Sequence, residues 1–367
     1  MSGGRVQEHA ERLVDWCVGI GPGDTVTIFA SEAAKELVTA LHAEIGKRGA
    51  EPVTVYAAMD KSVGLSGEPM RAFLRNHDGE FETPEHLEAL VDATDAIIGI
   101  RSNVNTNVLS DVPAETKQRR TKAVTPIMQA FVEKERVCGT QHPTQAAAQR
   151  AGMSLPEYEE FVYGAMVRDW AALEERLETL RERLESASEA RITGPETDIT
   201  MRLDGMHAIG DLGKRNFPGG EVYTAPVVES VDGEIRFDVP AMVQGHEVED
   251  VHLTVEDGTV VECSAGKNED ALASVVSTDD EASRIGELGV GMNEGIDRFT
   301  RNILFDEKMS GTVHLALGRA YEPTVGEGRE QNRSAIHIDL ITDMSEGRLQ
   351  LDGETVQEGG QFVWEET

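Results

Sequence analysis

The chain of 367 residues carries 67 acidic against 34 basic side chains, a formal net charge of −33, and is 39% hydrophobic. That length and apolar content give a globular protein with a sizeable core, and exclude a disordered one. The acid excess excludes nucleic acid as a partner, and no apolar run reaches the roughly 18 residues of a membrane span.

The opening stretch, residues 1–15, is polar and amphipathic and does not read as a secretion signal. The acids are spread along the whole chain, and nine lysines stand against 25 arginines. Diffuse acid excess with scarce lysine suits concentrated salt, where screening shortens charge repulsion to a few ångströms. A salt-loaded, halophilic cytoplasm is the expected setting. Cys17, Cys138 and Cys263 have no ligand-like spacing and read as reduced structural thiols of a cytoplasmic protein.

In chain order, Val6, Ala10, Leu13, Val14 and Cys17 have helical spacing. Gly21-Pro-Gly-Asp24 ends that helix, and the β-branched run Thr25 to Phe29 predicts a strand. Ser31 caps a helix over 32–47, and Pro52 to Tyr56 predicts a second strand. Ala96 to Ile100 and Ala123 to Ile127 read as two more. Strands alternating with helices predict a mostly parallel sheet covered on its faces. Phe29-Ala-Ser-Glu32 lacks the glycines of a phosphate-binding turn, so no nucleotide is inferred. Leu173, Leu177, Leu180 and Leu184 form one helical stripe, packed on its own domain or forming a coiled-coil seam.

The composition changes near Ser188 to Gly194, placing an α/β N-terminal domain over 1–190 and a strand-rich α+β domain over 191–367. In the latter, strands are predicted around 198–203, 221–224, 234–237, 251–255 and 259–262, with helices over 269–276 and 282–288. A hairpin closes the chain between Gly347 and Trp364.

In Ser334-Ala-Ile-His-Ile-Asp339 the strand period of two puts His337 and Asp339 on one face, a half-site for a divalent metal. His314, on the strand-like run Thr312 to Leu317, is a candidate third ligand. A solvated strand face or an ion pair produces the same His-x-Asp pattern. Glu221 and Glu287 lie among glycines and apolar residues, where a buried carboxylate needs a partner. A surface turn is the alternative for each.

Several phrases together carry a resemblance: Gly220-Glu-Val-Tyr-Thr-Ala-Pro226, Gly286-Glu-Leu-Gly289, Phe305 to Tyr321, and Asn332-Arg-Ser-Ala-Ile-His-Ile-Asp339. With the upstream stretch His142 to Tyr158 and Gly21-Pro-Gly-Asp24, they resemble the thermophilic-aminopeptidase family of metallopeptidases, the aminopeptidase T and aminopeptidase S type. The resemblance implies a two-metal exopeptidase, with Glu221, Glu287, His314, His337 and Asp339 as ligands and Tyr321 as the site tyrosine. It also implies two divalent ions (zinc, cobalt or manganese), short peptides with a free N-terminus as substrates, and a homodimer. Tyr321 would donate a hydrogen bond to the oxyanion, and either Glu221 or Glu287 would serve as general base; a packed tyrosine is the alternative for Tyr321. Ring-cleaving dihydroxypyridine dioxygenases look related to the family and supply a second reading, a mononuclear iron held by His314, His337 and Asp339 alone.

Overall fold

The computed structural model describes residues 2–57, 59–60 and 64–365. Met1 and residues 366–367, the ends of the two expected domains, lie outside the described residues. The chain divides into two compact units, Met1–Arg168 with Gly213–Pro218, and Asp169–Leu212 with Gly219–Thr367.

The first unit is built on β1 (Thr25–Phe29), β2 (Glu51–Val55), β3 (Ala96–Arg101) and β4 (Val137–Gln141). With the short strand Asn216–Phe217 at one edge, the order is Asn216–Phe217, β4, β3, β1, β2, and every pair is parallel. β1 and β3 are almost wholly buried, as expected of parallel strands with helices on both faces. Among those helices are α1 (Ser2–Arg12) and α2 (Lys35–Lys47). The turn leading into α2 is capped by Ser31, whose hydroxyl accepts from the amide of Ala33, and α2 buries Leu37, Leu41 and Ile45.

The strand expected at Ala123 to Ile127 is instead the middle of α3 (Ala114–Glu133), which runs through Pro126. Ala123, Val124 and Ile127 face the core at helical spacing, and Ile127 packs with Phe29, Leu87, Val91, Ile97 and Val137. A short apolar run has no period of its own; the 20-residue helix around it decides its conformation.

The second unit begins with α4 (Trp170–Ser186), which buries the leucine stripe 173, 177, 180 and 184 inside its own unit. A nine-stranded antiparallel sheet contains the long hairpin His246–Glu256 and Thr259–Lys267. A separate five-stranded antiparallel sheet consists of β5 (Ala208–Asp211), β6 (Glu221–Thr224), β7 (Ile285–Gly291), β8 (Thr312–Gly318) and β9 (His337–Asp343). Their order is β9, β8, β7, β6, β5. The helix expected over 282–288 is instead a turn that enters β7 at Ile285; Gly286, Gly289 and Gly291 disfavour helix, with Gly286 and Gly291 beneath crossing backbone and Gly289 beneath the His314 ring.

Candidate metal centre

One face of the five-stranded sheet gathers the expected ligands. Glu221 and Tyr223 are two apart on β6 and point the same way. Tyr223 pairs with Gly289 on β7, and Gly289 with His314 on β8. On the same face Ala316 pairs with Asp339, and Gly318 with His337. Glu287 stands two residues before Gly289, so alternation along β7 puts it on this face, paired with Ala316.

Glu287, His314 and Asp339 each offer a ligand atom, and these atoms lie within 4.8 Å of one another. His314 Nε2 is 3.3 Å from Glu287 Oε1 and 3.6 Å from Glu221 Oε2. His337 Nε2 lies 3.2 Å from Asp339 Oδ1. All five residues named from the sequence therefore converge. His314, Glu221 and Glu287 are buried, and His337 and Asp339 half-buried. Glu287 Oε2 and His314 Nδ1 have no hydrogen-bond partner among the described residues, though both are buried. Buried polar atoms left so are costly unless something else meets them.

Backbone placement makes this convergence possible. A β-carbon on Gly289 would fall 2.0 Å from His314 Nε2, so only glycine leaves room for the imidazole. His337 Nδ1 lies 2.7 Å from the Arg319 carbonyl, to which it donates, leaving Nε2 free for the cluster. Tyr321 is 45% exposed, with its ring 4.7 Å from that of His337 and 5.9 Å from that of Tyr223. It stands at the accessible edge of the cluster.

The charges are unbalanced toward the acidic. Burial alone would lower the His314 imidazole, but Glu287, Glu221 and Asp339 bring it up to about 9. Burial opposes the rise of His337 as well, and Asp339 carries it to about 10. In return His337 holds Asp339 down at about 2 against the burial that would raise it. Burial pushes Glu221 and Glu287 up. A site that draws protons onto its imidazoles and neutralises its own carboxylates lacks positive charge. Three carboxylates and two imidazoles, with no thiolate, suit a borderline divalent ion.

Three further charged groups were not singled out from the sequence. Lys308 is completely buried, with Nζ 3.1 Å from Glu221 Oε1, 3.6 Å from Asp211 Oδ2, and paired with Glu307. Burial would lower its pKa, and Glu221, Glu307 and Asp211 raise it well above the usual lysine value. The available signal was weak: a lysine, rare in this chain, in the charged phrase Phe305-Asp-Glu-Lys-Met309. Gly291 admits the Lys308–Met309 backbone across the sheet face, since a β-carbon there would meet the Met309 carbonyl at 2.0 Å.

The chain matches the thermophilic metalloprotease (M29) family over residues 4–364. It belongs to that family. This M29 chain is 25% identical to aminopeptidase AmpS of Bacillus subtilis, across 96% of this chain and 95% of that protein. It is 31% identical to aminopeptidase T of Thermus aquaticus over 180 residues, 44% of this chain and 43% of the relative. The structure of AmpT from Thermus thermophilus superposes with a TM-score of 0.84 at 24% identity, covering 98% of this chain and 99% of that one. At 14% identity, 2,5-dihydroxypyridine dioxygenase from Pseudomonas putida shares the fold with a TM-score of 0.62, over 100% of this chain and 99% of that one. As an M29 member the chain is a metalloaminopeptidase that depends on divalent metal. No helix among the described residues is long and apolar enough to cross a membrane.

Proposed function

We propose that this aminopeptidase removes N-terminal residues from short peptides with two divalent ions held by Glu221, Glu287, His314, His337 and Asp339. The observation that carries the reading is the meeting of all five side chains on one sheet face, with Glu287, His314 and Asp339 atoms inside 4.8 Å. Charge supports the count. Glu221, Glu287, Asp339, Asp211 and Glu307 supply five negative charges, and Lys308 with two divalent ions would balance them.

When bound, the ions would bring the pKa of a water near neutrality and polarise the scissile carbonyl. The protein's groups have distinct tasks. Glu287 is the better general base of the two glutamates, because its Oε2 has no hydrogen-bond partner among the described residues while Glu221 Oε1 faces Lys308. His337 is oriented by the Arg319 carbonyl. Burial, then the Glu287 and Asp339 charges, push the Tyr321 phenol up, so it stays protonated and donates to the tetrahedral oxyanion. The free α-amine of a peptide would be held at an open position of a bound ion, which would account for cleavage at the N-terminus only.

A mononuclear-iron dioxygenase would need only His314, His337 and Asp339. Burying Glu221 and Glu287 against His314 would then serve no purpose, and the likeness to the dioxygenase extends to the fold alone. We further place the enzyme as a homodimer in a salt-rich cytoplasm, on the family reading and the net charge of −33. The test is hydrolysis of matched free and N-acetylated peptides after chelation and re-addition of zinc, cobalt or manganese. Metal-restored cleavage of the free peptide alone is expected; equal cleavage of the acetylated peptide overturns the reading.

A further inference from the structure

Lys308 is unusual in contributing a positive charge to a site that would itself bind cations. The side chain is completely buried, and a buried ammonium is tolerated only when paired. Its partners, Glu221, Asp211 and Glu307, form a second acidic nest that shares Glu221 with the ligand cluster. Glu221 is thereby divided, with Oε1 3.1 Å from Lys308 Nζ and Oε2 3.6 Å from His314 Nε2. Glu287 has no lysine beside it; its close contact is His314, and its second oxygen has no hydrogen-bond partner among the described residues.

The backbone fixes this arrangement. The Asn293 amide donates to the Lys308 carbonyl at 3.0 Å, and the turn before it is tied by Asp306, which accepts from Thr300 and Asn302. With its backbone pinned over Gly291, Lys308 delivers its ammonium to one side of the cluster only.

We propose that Lys308 is a positioning residue that makes the two ion positions unequal, because its fixed ammonium occupies one oxygen of Glu221 and offsets part of its charge. The position relying on Glu221 is then the weaker, exchangeable one, and the position relying on Glu287 and Asp339 is the tight one. This rests on the two-ion reading above. Asp211 and Glu307 temper the effect by sharing the ammonium, so the balance of this nest sets how readily the second ion leaves.

The test is stepwise titration of the full-length apoprotein with Zn²⁺ against a chromogenic chelator in high salt, alongside metal counting. Wild type is expected to bind two ions with dissociation constants at least tenfold apart. Lys308→Met should tighten the weaker constant at least tenfold and leave the stronger within threefold. Glu307→Gln, which frees the ammonium to act on Glu221, should loosen the weaker constant severalfold. It also serves if Lys308→Met does not fold. A merely structural lysine would alter melting temperature and leave both constants in place. One ion per wild-type chain overturns the two-ion reading. Two ions with the weaker constant unmoved in the variants overturns the role of Lys308 alone.

Discussion

Gly289→Ala tests whether the sheet face is built to seat His314. A β-carbon at Gly289 would lie 2.0 Å from His314 Nε2, 2.1 Å from Cε1 and 2.8 Å from Cδ2. Non-bonded contact needs about 3.5 Å, so the imidazole must retreat by roughly 1.5 Å or β7 and β8 must part. Parting the strands would cost about 1–3 kcal/mol as overpacking. Rotating the ring spares the fold but removes it from Glu287 and Glu221, which lie 3.3 and 3.6 Å away. Because the ring is the far end of a side chain, rotation is the expected response. Displacement by about 1 Å at a reacting centre costs on the order of 100-fold in rate. The assay pairs kcat/KM on a free dipeptide with metal affinity and denaturant unfolding. The expected variant unfolds within about 1 kcal/mol of wild type yet loses metal affinity and on the order of 100-fold in kcat/KM. Full activity with unchanged metal affinity would refute the idea that Gly289 makes room for His314.

Glu221→Gln should abolish peptidase activity while circular dichroism stays native; undiminished activity would remove Glu221 from the ligand set. Tyr321→Phe should lower kcat on the order of 100-fold with metal content unchanged, the scale of losing one oxyanion donor, and equal kcat would leave the tyrosine a packing role. His9 gives a pH prediction in the first unit, where it is fully buried and held by Thr140 Oγ1 at 2.8 Å. Burial, aided by His142, lowers its pKa to about 3, so between pH 6.5 and 3 the unfolded chain binds a proton that the folded chain refuses. Its contribution is therefore present above 6.5 and lost as pH falls, by about 1.4 kcal/mol per unit. His9→Met should unfold with a shallower pH slope than wild type between pH 7 and 5 in matched salt, and an identical slope would contradict the assignment.

Much of the architecture was legible because it follows from local periodicity. The β-branched run at 25–29, the capped helix after Ser31 and the leucine stripe of α4 each carry their own period, and each forms as read. The two misread segments have no such signal. Ala123 to Ile127 takes the conformation of the long helix that contains it, and 285–288 opens a strand in which Gly286 lies beneath the Gly318–Arg319 backbone. At the site, the shared face of His337 and Asp339 follows from alternation alone. The meeting of Glu287 with His314 does not, since only the pairing of β7 with β8 brings these distant residues together. Lys308 was also hidden. Its partners are 97 and 87 residues upstream at Asp211 and Glu221, and only the folded sheet brings them together.

The central claim is tested most directly by anomalous diffraction from crystals grown with Zn²⁺ or Co²⁺. Two peaks are predicted, roughly 3.5–4 Å apart, bonded between them to Glu221, Glu287, His314, His337 and Asp339. A single peak held by His314, His337 and Asp339, with both glutamates unbound, would contradict it.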